Sequence, residues 1–344
     1  MGTALSTVRI GLIGLGDRGL TALRLLQECP GAEVTALCDL SADHVRAGRE
    51  LMATSGKQPV LCTDGPQAYL VACHSTDVDL VYICSDWDSH TTIAIEALHS
   101  GKHVAVEVPA ATTIEDIQSL VVAAQATDRQ CLLLENVCFE QQVIDAISAI
   151  HRGEIGEVVH AEGSYYHCLG DRWAPWRLNI NRQSRGDLYP THELGPICQA
   201  LDIGRTDRLE TLVCMDSASL TGSRVYEDLM HTPAPDFQNG DHTTTLIRTE
   251  RGRTILLKHD VLTEQPYERQ LTFIGTRGRI TLNDTGKASH ELMSLNMNRR
   301  LIESLTQGIP FGISINDLAV WCAVIPLSRL SIQQGFAPVA FPKF

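Results

Sequence analysis

Val8-Arg9-Ile10-Gly11-Leu12-Ile13-Gly14-Leu15-Gly16-Asp17-Arg18-Gly19 is the stretch that decides the fold. A short apolar strand runs straight into G-x-G-x-x-G, a helical pattern follows from Leu20 to Glu28, and about twenty residues on a second strand ends in Cys38-Asp39. That order describes a dinucleotide pocket. Gly14 lets the chain turn sharply, Gly16 lets the backbone approach a pyrophosphate, and Gly19 lets the helix pack closely on the strand, while the helix N-terminus stabilises phosphate charge. Asp39 at that spacing is expected to hold the ribose hydroxyls, which favours NAD over NADP. A ligand-free glycine turn is the plainer reading of the motif alone; the flanking strand, helix and acid argue against it.

Up to about Asn136 the chain alternates short β-rich runs with helical segments, the pattern of a parallel sheet covered on both faces. Asp79–Cys84 reads as the central fourth strand, which places Ser85-Asp86-Trp87-Asp88-Ser89-His90 at the carboxyl edge of the sheet, where such folds bind ligands. A helix from His90 to Ser100 stops at Gly101, Val104–Pro109 is the next strand, Thr113 caps a helix through Ala126, and Cys131–Asn136 is a further strand. Past a helix from Gln141 to Arg152, longer alternating strands take over: Val158–Tyr166, Leu209–Ala218, Thr243–Arg248, Thr254–Asp260 and Gln270–Gly275. They predict a largely antiparallel, open sheet, with helices on one face and the other left to a substrate or a second subunit, so a homo-oligomer is expected. Thr232–Asp236 reads as a surface loop, and Ser314-Ile315-Asn316-Asp317 opens a last helix to about Gln334, kinked at Pro326. The expectation is an α/β chain: an N-terminal Rossmann domain over residues 1–137, then an α+β domain over 138–344 for substrate binding and oligomerisation.

The 344 residues carry a formal net charge of -13, which argues against nucleic acid as a partner. Eleven cysteines are scattered with no C-x-x-C pair, which suits buried reduced thiols. No histidine–cysteine cluster has zinc spacing, and His192-Glu193 lacks a second histidine three residues on, so no metal is expected. No apolar run reads as a membrane span, and Met1–Val8 lacks the regions of a signal peptide, so as written the chain reads as cytoplasmic, with no membrane partner.

Unusual polar and aromatic residues gather in the middle of the chain: Glu135-Asn136, Tyr165-Tyr166-His167, Trp176-Arg177, Asp187-Leu188-Tyr189-Pro190-Thr191-His192 and Gln265-Pro266-Tyr267. Aromatic faces stack on the C–H surfaces of sugars while arginine, histidine and tyrosine fix hydroxyls, so the mixture suits a small carbohydrate. Plainer readings stand beside this one. Tyr165 and Tyr166 alternate on a strand, so one belongs to core or interface; Trp176 reads equally as a packing anchor, and His192 alone as a helix-start histidine. Its place beside Tyr189, after a proline turn, strengthens the catalytic reading.

Val104–Ala110, Glu135–Phe139, Leu188–His192, Arg253–Asp260 and Ala337–Pro342 together carry a resemblance to a known group. The chain resembles the Gfo/Idh/MocA group of NAD-dependent enzymes and, within it, glycoside hydrolase family 109, the NAD-dependent α-N-acetylgalactosaminidases. It departs from ordinary members of the group, which carry Glu-Lys-Pro where this chain has Glu107-Val108-Pro109, and an aspartate and histidine where Pro190 and Leu194 stand. Within family 109, His-Gly-Gly-Met-Asp becomes His290-Glu291-Leu292-Met293-Ser294, and Cys168 stands where many members carry aspartate.

The resemblance implies cofactor contacts at Asp17, Arg18, Asp39, Trp87, Asp88, His90, Glu107, Val108 and Asn136, beside Gly14, Gly16 and Gly19. It implies substrate contacts at Tyr165, Arg177, Tyr189, Pro190, Thr191, His192 and Tyr267, joined by His167. Histidine titrates near neutral pH and the surroundings of a hydrogen-bonded tyrosine tune it, so His192 is expected as the acid–base group, assisted by Tyr165 and Tyr189. The reaction the resemblance implies removes a hydride from sugar C3, acidifying the C2 proton, expels the C1 substituent by elimination, adds water and returns the hydride. A sugar dehydrogenase with net NAD turnover and a non-catalytic NAD- and sugar-binding paralogue are the rival readings.

Overall fold

The computed structural model describes residues 5–344 except 54, 55, 57, 171–172 and 285–287; the opening of the Met1–Val8 stretch thus lies outside the described residues. The chain forms two compact units, Met1–Asn136 with Glu291–Ala319, and Val137–His290 with Val320–Phe344.

In the first unit apolar runs become the strands β1 (Val8–Ile13), β2 (Ala32–Cys38), β3 (Val60–Cys62), β4 (Leu80–Ile83), β5 (His103–Val106) and β6 (Cys131–Leu133). Between them lie the helices α1 (Asp17–Leu26), α2 (Ala42–Leu51), α3 (Tyr69–His74), α4 (Trp87–His99) and α5 (Ile114–Thr127). The strands form one parallel sheet ordered β3-β2-β1-β4-β5-β6. The order reverses between β1 and β4, so the carboxyl ends of those two strands frame the topological switch point where such sheets bind ligands. All of β4 is buried, and its flanking Asp79 is held by Arg9 through contacts of 2.7 and 2.9 Å. The expected strand Cys131–Asn136 stops early, because the Glu135 N–H turns back to the Leu133 carbonyl (3.0 Å) and a 3-10 turn follows at Asn136–Phe139.

The second unit opens with α6 (Gln141–His151) and β7 (Val158–Tyr166), then α7 (Pro175–Gln183), α8 (Thr191–Ala200), β8 (Leu209–Asp216) and α9 (Gly222–Met230). There follow β9 (Thr243–Thr249), β10 (Thr254–Asp260), β11 (Glu268–Gly275), β12 (Gly278–Asp284), α10 (Ala288–Gln307), α11 (Ile315–Gln333) and β13 (Val339–Ala340). The sheet order is β12-β11-β7-β10-β9-β8-β13, antiparallel throughout except for the β7–β10 pair. β12 escaped the sequence reading because it is an edge strand, largely exposed, whose alternation marks no core face. One face of the sheet carries α8. A Cβ on Gly163 would lie 2.4 Å from that of Glu193, so the glycine makes room for the helix.

Two expectations are corrected. Of residues 138–344, Glu291–Ala319 belong to the first unit: Asn298 of α10 accepts from the Tyr82 hydroxyl (3.0 Å), and the Leu305 carbonyl accepts the Leu5 N–H (3.2 Å). And α11 is long and apolar enough to cross a membrane by length and composition. About two-thirds of that stretch (67%) is buried, as in the core helix of a folded domain, and the helix continues through Pro326.

Candidate active site

The three glycines after β1 meet three different physical demands. Gly14 has φ +87°, and a Cβ there would strike the backbone of Ser85 at 2.4 Å. A Cβ on Gly19 would lie 1.9 Å from the Gly14 carbonyl oxygen, so only glycine lets α1 approach the turn. Gly16 caps α1 with no side-chain hydrogen bond, and a Cβ on it would meet nothing within 4 Å among the described residues. Open space before bare helix N–H groups is what a pyrophosphate needs, so this turn fits a dinucleotide. Asp39 is already oriented: Oδ2 accepts the Leu15 N–H (2.6 Å), and Oδ1 accepts the Ser41 N–H (2.8 Å) and lies 3.2 Å from His44 Nδ1.

The other expected cofactor residues divide by environment. Asp17 and Asp88 are exposed in the first turns of α1 and α4, while Trp87 and Val108 are buried. His90 is buried too, with Nδ1 2.8 Å from the Pro109 carbonyl and Nε2 3.0 Å from that of Ser85; burial lowers its pKa against both contacts. It braces the ends of β4 and β5. Arg18 grips Glu107 at 2.7 Å and also reaches Ser294 Oγ at 3.3 Å, which in turn accepts from Asn136 Nδ2 at 2.9 Å. The altered His290–Ser294 segment therefore touches the residues expected to hold the cofactor.

In the second unit the expected substrate residues come together around Tyr165 at the end of β7. His167, Tyr189, His192 and Tyr267 all have ring centroids within 6.3 Å of its own, and Tyr189 lies edge-on to His192 at 4.9 Å. Pro190 and Thr191, both buried, start α8 and so deliver His192 on its first turn. Among the described residues the Tyr165 hydroxyl has no hydrogen-bond partner, while burial, then Tyr189 and Tyr267, push its pKa well up against the opposing charge of Arg177. Tyr165 is thus a neutral phenol. Arg177 itself stacks over Trp176 (5.1 Å). Tyr166, the neighbour on the strand, faces the other way and tilts onto His242 (5.7 Å), outside the ring cluster around Tyr165.

Models of two families divide the chain. The oxidoreductase family with an NAD-binding Rossmann fold matches residues 8–134, and the glycosyl hydrolase 109 C-terminal domain matches 170–285 and 279–344. A glycosyl hydrolase family 109 protein of Phocaeicola vulgatus is 37% identical over 99% of this chain and 84% of its own length. The chain belongs to glycosyl hydrolase family 109. A second family 109 protein, from Porphyromonas gingivalis, is 37% identical over 99% of this chain and 85% of its own. Among solved structures, scyllo-inositol dehydrogenase from Lactobacillus casei with bound NAD(H) and scyllo-inositol matches with a TM-score of 0.78 at 16% identity, covering 97% and 99% of the two chains. A myo-inositol dehydrogenase from Corynebacterium glutamicum matches with a TM-score of 0.76 at 14% identity, covering 98% and 100%. At such identities the likeness is one of fold. This family 109 member is an NAD-dependent enzyme of the glycosidase and sugar-oxidoreductase kind.

Sequence reasoning missed several residues of the two clusters. In the sequence Ser294 stands out only as a departure from the family pattern and His259 only within a matching segment, and neither carries a site signal of its own. Arg269 and His259 are the in-register neighbours of Tyr165 on β11 and β10. Arg269 is buried between Glu140 (2.6 Å) and Asp284 (2.7 Å) and hydrogen-bonds Tyr267, partly offsetting the burial that raises that phenol's pKa. Asp187, two residues before Tyr189, is fully buried and has its pKa pushed to about 7 by that burial.

Proposed function

We propose that this enzyme hydrolyses N-acetylgalactosaminides without net redox change, with His192 as the acid–base group and Tyr165 and Tyr189 assisting. The turn at Gly14, Gly16 and Gly19 with Asp39 would hold NAD, which would supply a reversible hydride acceptor for sugar C3 and so leave the C2 proton acidic. His192 would then take that proton as the C2–H electrons form the C1=C2 bond and the C1–O bond breaks, and would pass it to the departing oxygen, so that the aglycon leaves as an alcohol. Water would add its hydroxyl to C1 and its other hydrogen to C2, and the return of the hydride to C3 would leave no net redox change.

The observation that carries the reading is the gathering of His167, Tyr189, His192 and Tyr267 around Tyr165, whose hydroxyl has no partner in the protein among the described residues. A neutral phenol in a partly apolar wall donates to a sugar hydroxyl, and imidazole is the side chain whose ordinary pKa suits proton transfer near neutrality. Arg177 brings positive charge near Tyr165, suited to an acetamido oxygen or a ring hydroxyl. Val108 in place of the usual lysine favours this route over net oxidation, since it offers no amine to poise a substrate hydroxyl.

The test is p-nitrophenol release from paired α- and β-N-acetylgalactosaminides, with NADH absorbance followed in the same cuvette. Release without NADH accumulation supports the reading and identifies the anomer. NADH growth without release makes the protein a dehydrogenase, and silence in both makes it a binding protein. His192→Ala is expected to keep NAD affinity and lose about 100-fold or more in turnover; full activity in that variant removes His192 from the role.

The outer face of the second sheet supports the further proposal that the chain self-associates. Exposed Met215 and Leu246 lie there beside half-buried Val213 and Leu256. Sedimentation of wild type against a Met215→Glu/Leu246→Glu variant tests it, with a shift to monomer expected.

A further inference from the structure

The substrate cluster contains an imidazole that the proposed chemistry does not use. His259 on β10 stands directly in register with Tyr165 on β7, so the two side chains share the face of the sheet that carries α8. Their rings are parallel to within 10° at a centroid distance of 6.0 Å. The other four rings around Tyr165 are tilted or edge-on, at angles from 39° to 87°. His259 is therefore the one neighbour among them that stacks on the phenol in an offset, face-to-face manner, a favoured geometry for aromatic pairs.

His259 is badly placed for other work. It is 3% exposed, and its Nε2 is buried without a hydrogen-bond partner among the described residues, so neither solvent nor substrate reaches that nitrogen. The adjacent Asp260 does not serve it as an orienting acid. That carboxylate accepts the Leu262 and Thr263 N–H groups (both 3.0 Å) and the Thr263 hydroxyl (2.6 Å), closing the turn after β10. Burial draws the imidazole's pKa down to about 4 despite the charge of Asp260, with His242 and His192 pushing the same way, so the ring lies uncharged against Tyr165 near neutral pH. What remains is its shape. A phenolic O–H prefers the plane of its ring, so whatever fixes the ring's plane also fixes where the hydroxyl proton points.

We propose that His259 is a positioning residue for Tyr165: stacked on the phenol from the neighbouring strand, it sets the plane in which the Tyr165 hydroxyl is presented to the sugar. The proposal rests on Tyr165 meeting the substrate, as in the proposed function. Two substitutions separate ring from nitrogen. His259→Asn keeps polarity and loses the stack, whereas His259→Phe keeps the stack and loses the nitrogens.

In the full chain with NAD, His259→Asn is expected to lower kcat on the p-nitrophenyl substrate about two- to twelvefold, the worth of one aromatic pair, with NAD affinity held. His259→Phe is expected to rescue most of that loss. A second readout needs no turnover: carbon-13 tyrosine spectra, with the Tyr165 signals identified by their loss in Tyr165→Phe, report how fast the ring flips. Flipping is expected to speed at least about tenfold in the Asn variant and to stay slow with Phe. Phe as impaired as Asn in both readouts, or Asn indistinguishable from wild type in both, overturns the proposal. A wild-type chain with no glycosidase activity overturns the proposed function instead, and the ring-flip comparison still decides whether His259 holds Tyr165.

Discussion

Replacing Asp187 by asparagine is expected to stabilise the protein, and to do so only as pH rises. Asp187 is fully buried; among the described residues its Oδ1 has no hydrogen-bond partner, Oδ2 accepts the Thr245 hydroxyl at 3.4 Å, and the Tyr189 N–H also bonds the carboxyl. Burial outweighs both bonds and lifts the carboxyl from its ordinary 3.8 to about 7. A folded-state pKa above the unfolded one means that the folded chain holds the proton more tightly. Stability is therefore intact below the unfolded value, declines as pH climbs from about 4 toward 7, and carries the full penalty above that. Three units at about 1.4 kcal/mol each put that penalty at about 4 kcal/mol. Asparagine imitates the protonated acid at every pH. Its advantage should be under about 1 kcal/mol near pH 4 and grow to about 4 kcal/mol near pH 8 in urea unfolding followed by fluorescence. An advantage independent of pH, or a variant less stable than wild type at the alkaline end, would refute the reasoning and make Asp187 an ionised acceptor for Tyr189.

Arg269→Met should cost about 3–5 kcal/mol, because it strands Glu140 and Asp284 as buried charges without their cation; it should also move Tyr267 ionisation to higher pH, read by tyrosinate absorbance. Ser294→Ala should weaken NAD binding about five- to thirtyfold by calorimetry, since Arg18 and Asn136 both lose an acceptor within the first unit. An unchanged Kd would leave Ser294 a packing residue.

Much of the fold was legible because it is local. G-x-G-x-x-G encodes a dihedral at Gly14 and a close approach at Gly19 within a few residues of chain, and Asp39 follows one crossover later. Tyr189-Pro190-Thr191-His192 likewise carries its own helix start. α1 nonetheless begins at Asp17 rather than Leu20, because the motif's last glycine lies inside the first helical turn instead of before it. The expected strand Cys131–Asn136 failed where Glu135 and Asn136, buried polar residues, take the chain out of the sheet.

By itself the sequence determined a dinucleotide turn, a parallel sheet and the aromatic and polar residue types now gathered around Tyr165, since turn dihedrals and the periods of helix and strand are written into neighbouring residues. Only the tertiary structure decided that Ser294, 276 residues beyond Arg18, bonds to it, and that Arg269 and His259 flank Tyr165. The same holds for Asp187, which keeps its proton to about pH 7. Those facts depend on strand register and on burial, and both are set by segments far apart in the chain, whose pairing no local pattern records.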